Sequence, residues 1–174
     1  FGRDDAVKYL ELQRDLYRWV HDQTLRRMNH GETQREIAED LVLPDCFARH
    51  GHTRGYYGTI HHNAKAVYQR YIGWYDGNPA HLKPAKHADL AKEIALMAGG
   101  ALALADRAQA LKETNPRLAC HLVEMAVQAE PENRYAHEVR ADVYQHRRGL
   151  ETSLMAKGIF GTAANESKEA LGEE

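Results

Sequence analysis

The chain has 174 residues, 43% of them hydrophobic and 28% charged, with a formal net charge of −2. That balance suits an ordered domain burying roughly 70% of its unfolded surface and excludes an intrinsically disordered tail. Acidic and basic residues are interspersed, which gives no electrostatic footprint for nucleic acid or an anionic membrane, and no apolar run reaches the roughly 18 residues that a membrane span needs.

The N-terminus carries no methionine and no signal-peptide pattern, and it enters a helical pattern almost at once, so it reads as a segment cut from something longer. Asp4 or Asp5 is the expected cap of a long first helix to about Asn29. Val7, Leu10, Arg14, Tyr17, Val20 (or His21), Thr24 and Met28 recur there at three- and four-residue steps, and Leu16 and Leu25 widen the stripe. Gly31 is a natural stop. Thr33 and Glu36 form a capping box ahead of Ile37, Ala38 and Leu41, and Pro44-Asp45 closes that short helix.

Residues 45–58 read as a loop, with Gly51, Gly55 and Gly58 allowing tight turns or close approach to a ligand. Thr59 is the expected cap of a third helix through Tyr75, with Val67, Tyr68, Tyr71 and Trp74 on its apolar side. Asp76-Gly77-Asn78-Pro79 is a strong turn. From Pro84 small and aliphatic residues dominate up to the Asn115-Pro116 break. A helix from Pro116 to about Ala129, a second break at 130–133 and a helix to about Arg148 follow.

Ala101, Leu104 and Ala108 recur as Ala136, Val139 and Val143, 35 positions on, which resembles a tetratricopeptide helical hairpin. A last helix carries Leu154, Ile159 and Phe160, and residues 166–174 read as an acidic linker or tail. No strand pattern appears. The expected class is all-α: a helical bundle with a long N-terminal helix and a tetratricopeptide-like hairpin. Cys46 and Cys120 fit no zinc or redox spacing and read as partly buried thiols, a disulfide staying open.

The stretch 54–79 concentrates the residues that can carry chemistry. The planar fork of Arg54 suits a sulfate or phosphate oxyanion. His62 can donate a proton near neutral pH, Asn63 can add a neutral hydrogen bond, and the tyrosines can line an apolar channel. The same residue types also serve ordinary capping and packing at a loop–helix junction, and by type alone that is the commoner role. His50, His52, His61 and His62 lack the nearby carboxylates or cysteines that a zinc site needs, so no metal is expected on this chain. Nucleophile-elbow, phosphate-loop and zinc-protease motifs are absent, and the chain alone is not a complete enzyme.

The string RGYYGTIHHNAKAVYQRYIGWYDGNPAHL (54–82) resembles the signature of the alkyl sulfatase dimerisation domain. LELQRDLYRWVHDQTLRRMNHGETQREIAEDLVLP (10–44) resembles the helical pair before that signature, and AVQAEPENRYAHEVRADVYQ (126–145) the hairpin after it. The resemblance implies a dimerisation domain over 1–165, with an N-terminal arm and loop at 1–58 and a bundle at 59–165. It also implies a homodimer and a parent enzyme that hydrolyses alkyl sulfate esters to alcohol and sulfate. In that family a metallo-β-lactamase-like domain of the same protein holds two zinc ions, and a sterol-carrier-like domain follows.

The family's zinc motif, His-Xaa-His-Xaa-Asp-His, is absent here. Matched residue by residue, His62 becomes the candidate proton donor to the departing alkoxide or a sulfate contact. Asn63 is its partner, and Arg54, Tyr56 and Tyr57 are candidate substrate contacts. Residues 74–79 match the most recognisable part of the signature and are expected to be structural, while His61 has no counterpart. The resemblance favours a periplasmic or secreted setting, which the sequence itself leaves open. The alternatives are a tetratricopeptide-like peptide-binding module, which leaves 54–79 without a role, and an independent metal hydrolase built on the four histidines.

Overall fold

The computed structural model describes residues 2–172, and among them the regular structure is entirely helical. The chain divides into two compact units, Phe1–Pro84 and Ala85–Glu174.

In the first unit, α1 (Arg3–Asn29) is capped at Gly2, whose N–H donates to Asp5 at 3.2 Å; the expected acidic residue thus acts from inside the first turn. Gly31, at φ 86°, turns the chain out of the helix in the left-handed region that favours glycine. Thr33 opens α2 (Gln34–Asp40) with the expected capping box: the Thr33 N–H donates to the Glu36 carboxylate at 2.8 Å, and the Glu36 N–H to Thr33 Oγ1 at 3.4 Å. Such a cap contributes about 1 kcal/mol.

The segment expected to be a loop from residue 45 holds a short helix, α3 (Asp45–Ala48), and a 3₁₀ turn (Gly51–Thr53). The Thr53 hydroxyl, fully buried, stitches them by donating to the Phe47 carbonyl at 2.5 Å. Helix α4 (Ile60–Ile72) starts at the Thr59 cap and stops at Gly73, φ 90°, three residues short of the expected end. It packs on α1 and α2, around a small cluster of Ile37, Ala64 and Tyr68 with Met28 and Leu41 against it. Compactness therefore does not divide the chain at 58/59 as expected: α4 needs α1 and α2 to cover its apolar side, and the unit runs on to Pro84.

The second unit contains α5 (His87–Ala98), α6 (Ala101–Leu111), α7 (Pro116–Ala129), α8 (Arg134–Gly149) and α9 (Leu154–Leu171). Gly99 and Gly100, at φ 94° and 116°, divide what the alanine-rich pattern presents as one stretch. Asn115, Asn133 and Ser153 cap α7, α8 and α9 through their side-chain oxygens. The core is built on small residues (Ala105, Ala108, Ala119, Ala126 and Ala136) interleaved with Leu104, Val123, Val139 and Val143.

All six residues of the 35-position recurrence are buried, so that spacing marks the inward face. The expected tail gives way to helix: α9 continues through residues 166–171 with Ser167 and Leu171 buried, because Ala164, Ser167 and Leu171 keep helical spacing on one face. Residues 173 and 174 of the expected tail lie outside the described residues. Both cysteines are free; Cys46 is exposed, against expectation, and burial pushes the Cys120 thiol up to about 11.

Candidate functional site

The glycine-rich loop delivers its polar residues to the start of α4. Gly55, at φ 76°, lets the chain fold back so tightly that a Cβ there would stand 2.9 Å from the Gly58 carbonyl oxygen. Gly58 in turn lies beside Asn63, whose Oδ1 would be 3.6 Å from a Cβ at that position. The loop therefore closes on the first turn of the helix, and the close approach of backbone explains the glycine at position 55.

Thr59 caps α4 in extended conformation, φ −133° and ψ 160°. Its Oγ1 accepts the His62 N–H at 3.2 Å and lies 3.1 Å from His62 Nδ1, so both bonds of this hydroxyl go to one residue. His62 and Asn63 are exposed, on the outward side of the first turn. His61 points the other way. Its Nδ1–H donates to the Ala38 carbonyl at 3.0 Å in a partly buried contact that ties α4 to α2, and its ring meets that of His62 edge-on at 5.7 Å.

Tyr56 and Tyr57 are 67% and 69% exposed on the loop. Arg54 is also exposed, with its guanidinium directed to Gly51 at the start of the loop, 3.6 Å from where a Cβ would stand. The candidate residues thus fall into two groups along one loop: His62 and Asn63 at its end on α4, and Arg54 at its beginning, with the tyrosines between.

Around that beginning lie two further histidines. The rings of His50 and His52 are 5.6 Å apart, Tyr9 of α1 stacks obliquely on His52 at 4.7 Å, and Gln13 donates to the His52 carbonyl at 3.1 Å. Partial burial, followed by the nearby His52, Arg49 and Lys8, holds His50 below the ordinary histidine range. Among the described residues no group of three or more histidine, cysteine, aspartate or glutamate side chains converges on a point. Zinc, which the resemblance implies for a parent enzyme, therefore does not fit the side chains of the described residues. Among the described residues no helix is long and apolar enough to cross a membrane.

The signature's last part behaves as a built turn. Asp76 accepts the Asn78 N–H at 3.1 Å and meets His81 Nδ1 at 2.7 Å, and Asn78 Oδ1 accepts the Ala80 N–H at 3.1 Å. Gly77, at φ 88°, sits where a Cβ would press to 3.3 Å from the Thr33 methyl. Trp74 departs from the expected packing: it is 65% exposed and touches Tyr75 edge-on at 6.3 Å, since α4 has already ended at Gly73.

This all-helical arrangement and its loop recur in known proteins. A linear primary-alkylsulfatase of Pseudomonas sp. is 41% identical over 172 residues, covering 98% of this chain and 26% of that protein. The alkyl/aryl-sulfatase of Saccharomyces cerevisiae is 45% identical over 145 residues, 83% of this chain and 22% of its own length. The solved structure of a stereoselective inverting sec-alkylsulfatase from Pseudomonas sp. superposes with a TM-score of 0.92 at 34% identity, covering 98% of this chain and 27% of that one. The chain thus spans about a quarter of the length of the relatives it matches, and its class is a helical segment that alkyl sulfatases share. The family model for alkyl sulfatase dimerisation matches residues 33–170, and the chain belongs to that family.

Proposed function

We propose that this chain is the segment through which an alkyl sulfatase self-associates and by which it supplies polar contacts to the alkyl sulfate ester it hydrolyses. The observation that carries this reading is the exposed first turn of α4, where His62 and Asn63 stand side by side beyond a loop that closes on them. An exposed His-Asn pair at the positively polarised end of a 13-residue helix suits an anionic sulfate.

His62 is the donor to the ester or leaving oxygen, and Asn63 adds a neutral hydrogen bond. Arg54, at the other end of the loop, is the charged contact for sulfate oxygens, with Tyr56 and Tyr57 as the walls for the alkyl chain. The two zinc ions and the hydrolytic water belong to polypeptide beyond these residues, in a metallo-β-lactamase-like domain of the same protein. The second subunit is another copy, docked on the apolar face of α1, where Leu10 and Tyr17 are 64% and 71% exposed.

The test is kinetic, in the longer polypeptide that carries this segment. His62→Ala is expected to lower kcat for a primary alkyl sulfate by roughly a hundredfold, the scale of a lost acid or hydrogen-bond donor at a reacting oxygen. Unchanged kcat and KM in a folded His62→Ala, Asn63→Ala double variant would remove the site from this chain.

A further inference from the structure

The Thr59 hydroxyl is placed to do more than begin a helix. A threonine hydroxyl has one proton to give and two lone pairs to accept with. One lone pair takes the His62 N–H, a group that can only donate. The hydroxyl's other partner is His62 Nδ1 at 3.1 Å, which in a neutral ring either accepts or donates. Only one assignment pairs both protons within the protein: the backbone N–H donates to Oγ1, and the hydroxyl proton goes to Nδ1. In the reverse assignment Oγ1 accepts twice and its own proton has no partner on the protein among the described residues.

We infer that Thr59 is a positioning residue that holds neutral His62 as the Nε2–H tautomer, turning the N–H outward while the other ring nitrogen is anchored to the cap. In a histidine the hydrogen bond made by one nitrogen decides the state of the other. His62 Nε2 belongs to an exposed side chain, so the N–H is presented to whatever occupies the outer side of α4.

The neighbouring residue provides the contrast. His61 Nδ1 faces a carbonyl, which can only accept, so that ring carries its proton on Nδ1. Two adjacent histidines, built on one helical turn, are thus set to opposite tautomers by what each Nδ1 meets.

Resting on the reading of His62 as a substrate contact, this selects between its two roles. A neutral imidazole that gave up its Nε2 proton would become an imidazolate, so the Nε2–H tautomer acts as an uncharged hydrogen-bond donor to a sulfate or ester oxygen. No proton leaves the ring. An uncharged donor at this place works at pH values where an imidazolium would be scarce.

Nitrogen-15 correlation spectra of the histidine rings in the chain at about pH 8.5, two units above an ordinary histidine, report the tautomer directly. The expected result is Nε2–H for His62 and Nδ1–H for His61. Thr59→Ser keeps the His62 tautomer. Thr59→Ala shifts the Nε2–H to Nδ1–H ratio roughly fivefold toward Nδ1–H, the effect of one net hydrogen bond. Thr59→Asp, which still caps a helix but can only accept, moves the proton to Nδ1 and keeps the fold.

Nδ1–H at His62 in the parent chain, or Thr59→Asp spectra that leave His62 as it was, would overturn the inference. The outcomes separate from those for the site as a whole. An Nε2–H tautomer with a fully active His62→Ala enzyme retains the positioning role and removes the catalytic one. An Nδ1–H tautomer with an inactive variant does the reverse.

Discussion

Asp76 shows how one carboxylate can set both a turn and a pH dependence. Its bond to His81, and then the Asn78 N–H, hold its carboxyl below the usual value of 3.8. The unfolded chain lacks those bonds, so their stabilisation is fully present above pH 3.8 and is lost as pH falls through the lower folded value. Asp76→Asn is therefore expected to flatten the acid side of a plot of urea midpoint against pH while leaving its neutral side shallow; an unaltered acid limb would show the turn to be indifferent to this charge.

Residues of this kind differ in how far sequence reveals them. The Thr33–Glu36 box and the Thr59 cap are local patterns of three-residue reach, and they stand as expected. The Asp76–Pro79 turn is legible for the same reason. His61 is not, because its bond goes to Ala38, 23 residues away on another helix, and no local spacing signals that. Nor does the order of residues tell where the Arg54 side chain is directed; only the folded path places its guanidinium by Gly51.

At the scale of elements, one side chain of α8 reaches both α7 and α9. Arg140, 11% exposed, donates to Glu124 of α7 at 2.7 Å, to the Ala163 carbonyl of α9 at 2.6 Å, and to Ser167 and Glu166 at 3.0 and 3.1 Å. Its guanidinium also lies over the Tyr144 ring at 5.3 Å. Arg140→Ala removes the ties from α8 to Glu124 of α7 and to Ala163, Glu166 and Ser167 on one face of α9, and should cost about 2 kcal/mol in a urea titration. Arg140→Lys should recover only part, since the three donors on a single ammonium nitrogen cannot span the four partners that the planar guanidinium reaches. Equal stability of the lysine variant and the parent would show packing, not the fork, to be what matters.

Two element boundaries are hidden in the sequence, each for its own reason. Between residues 90 and 111 the apolar register runs through Gly99-Gly100 without a gap, so the periodicity hides a break that the two positive φ angles impose. At the C-terminus acidic residues on the outer face of α9 hide an inner face that is still buried at Leu171.

Across the molecule, the apolar stripe of α1 was legible but its destination was not. Val20 and Thr24 are buried, whereas Val7, Leu10 and Tyr17, on the same periodic pattern, remain exposed in the single chain. Periodicity reports that a face is to be covered, and is silent on whether the cover comes from the same molecule. With a second copy as the cover, a Leu10→Glu, Tyr17→Glu double variant should sediment as a monomer at micromolar concentration with its helical circular dichroism unchanged. A parent chain that already sediments as a monomer would refute the self-association reading.

The two units are also unequal in what holds them. The larger packed cluster lies wholly within residues 91–164, while the cluster in the unit bearing His62 centres on Ile37, Ala64 and Tyr68. With so thin an interior, that half depends for its persistence on whatever shields α1. Dilution should then lower its melting temperature while the other half melts at the same point, so a scanning calorimeter run at two protein concentrations would see one endotherm travel and the other stay.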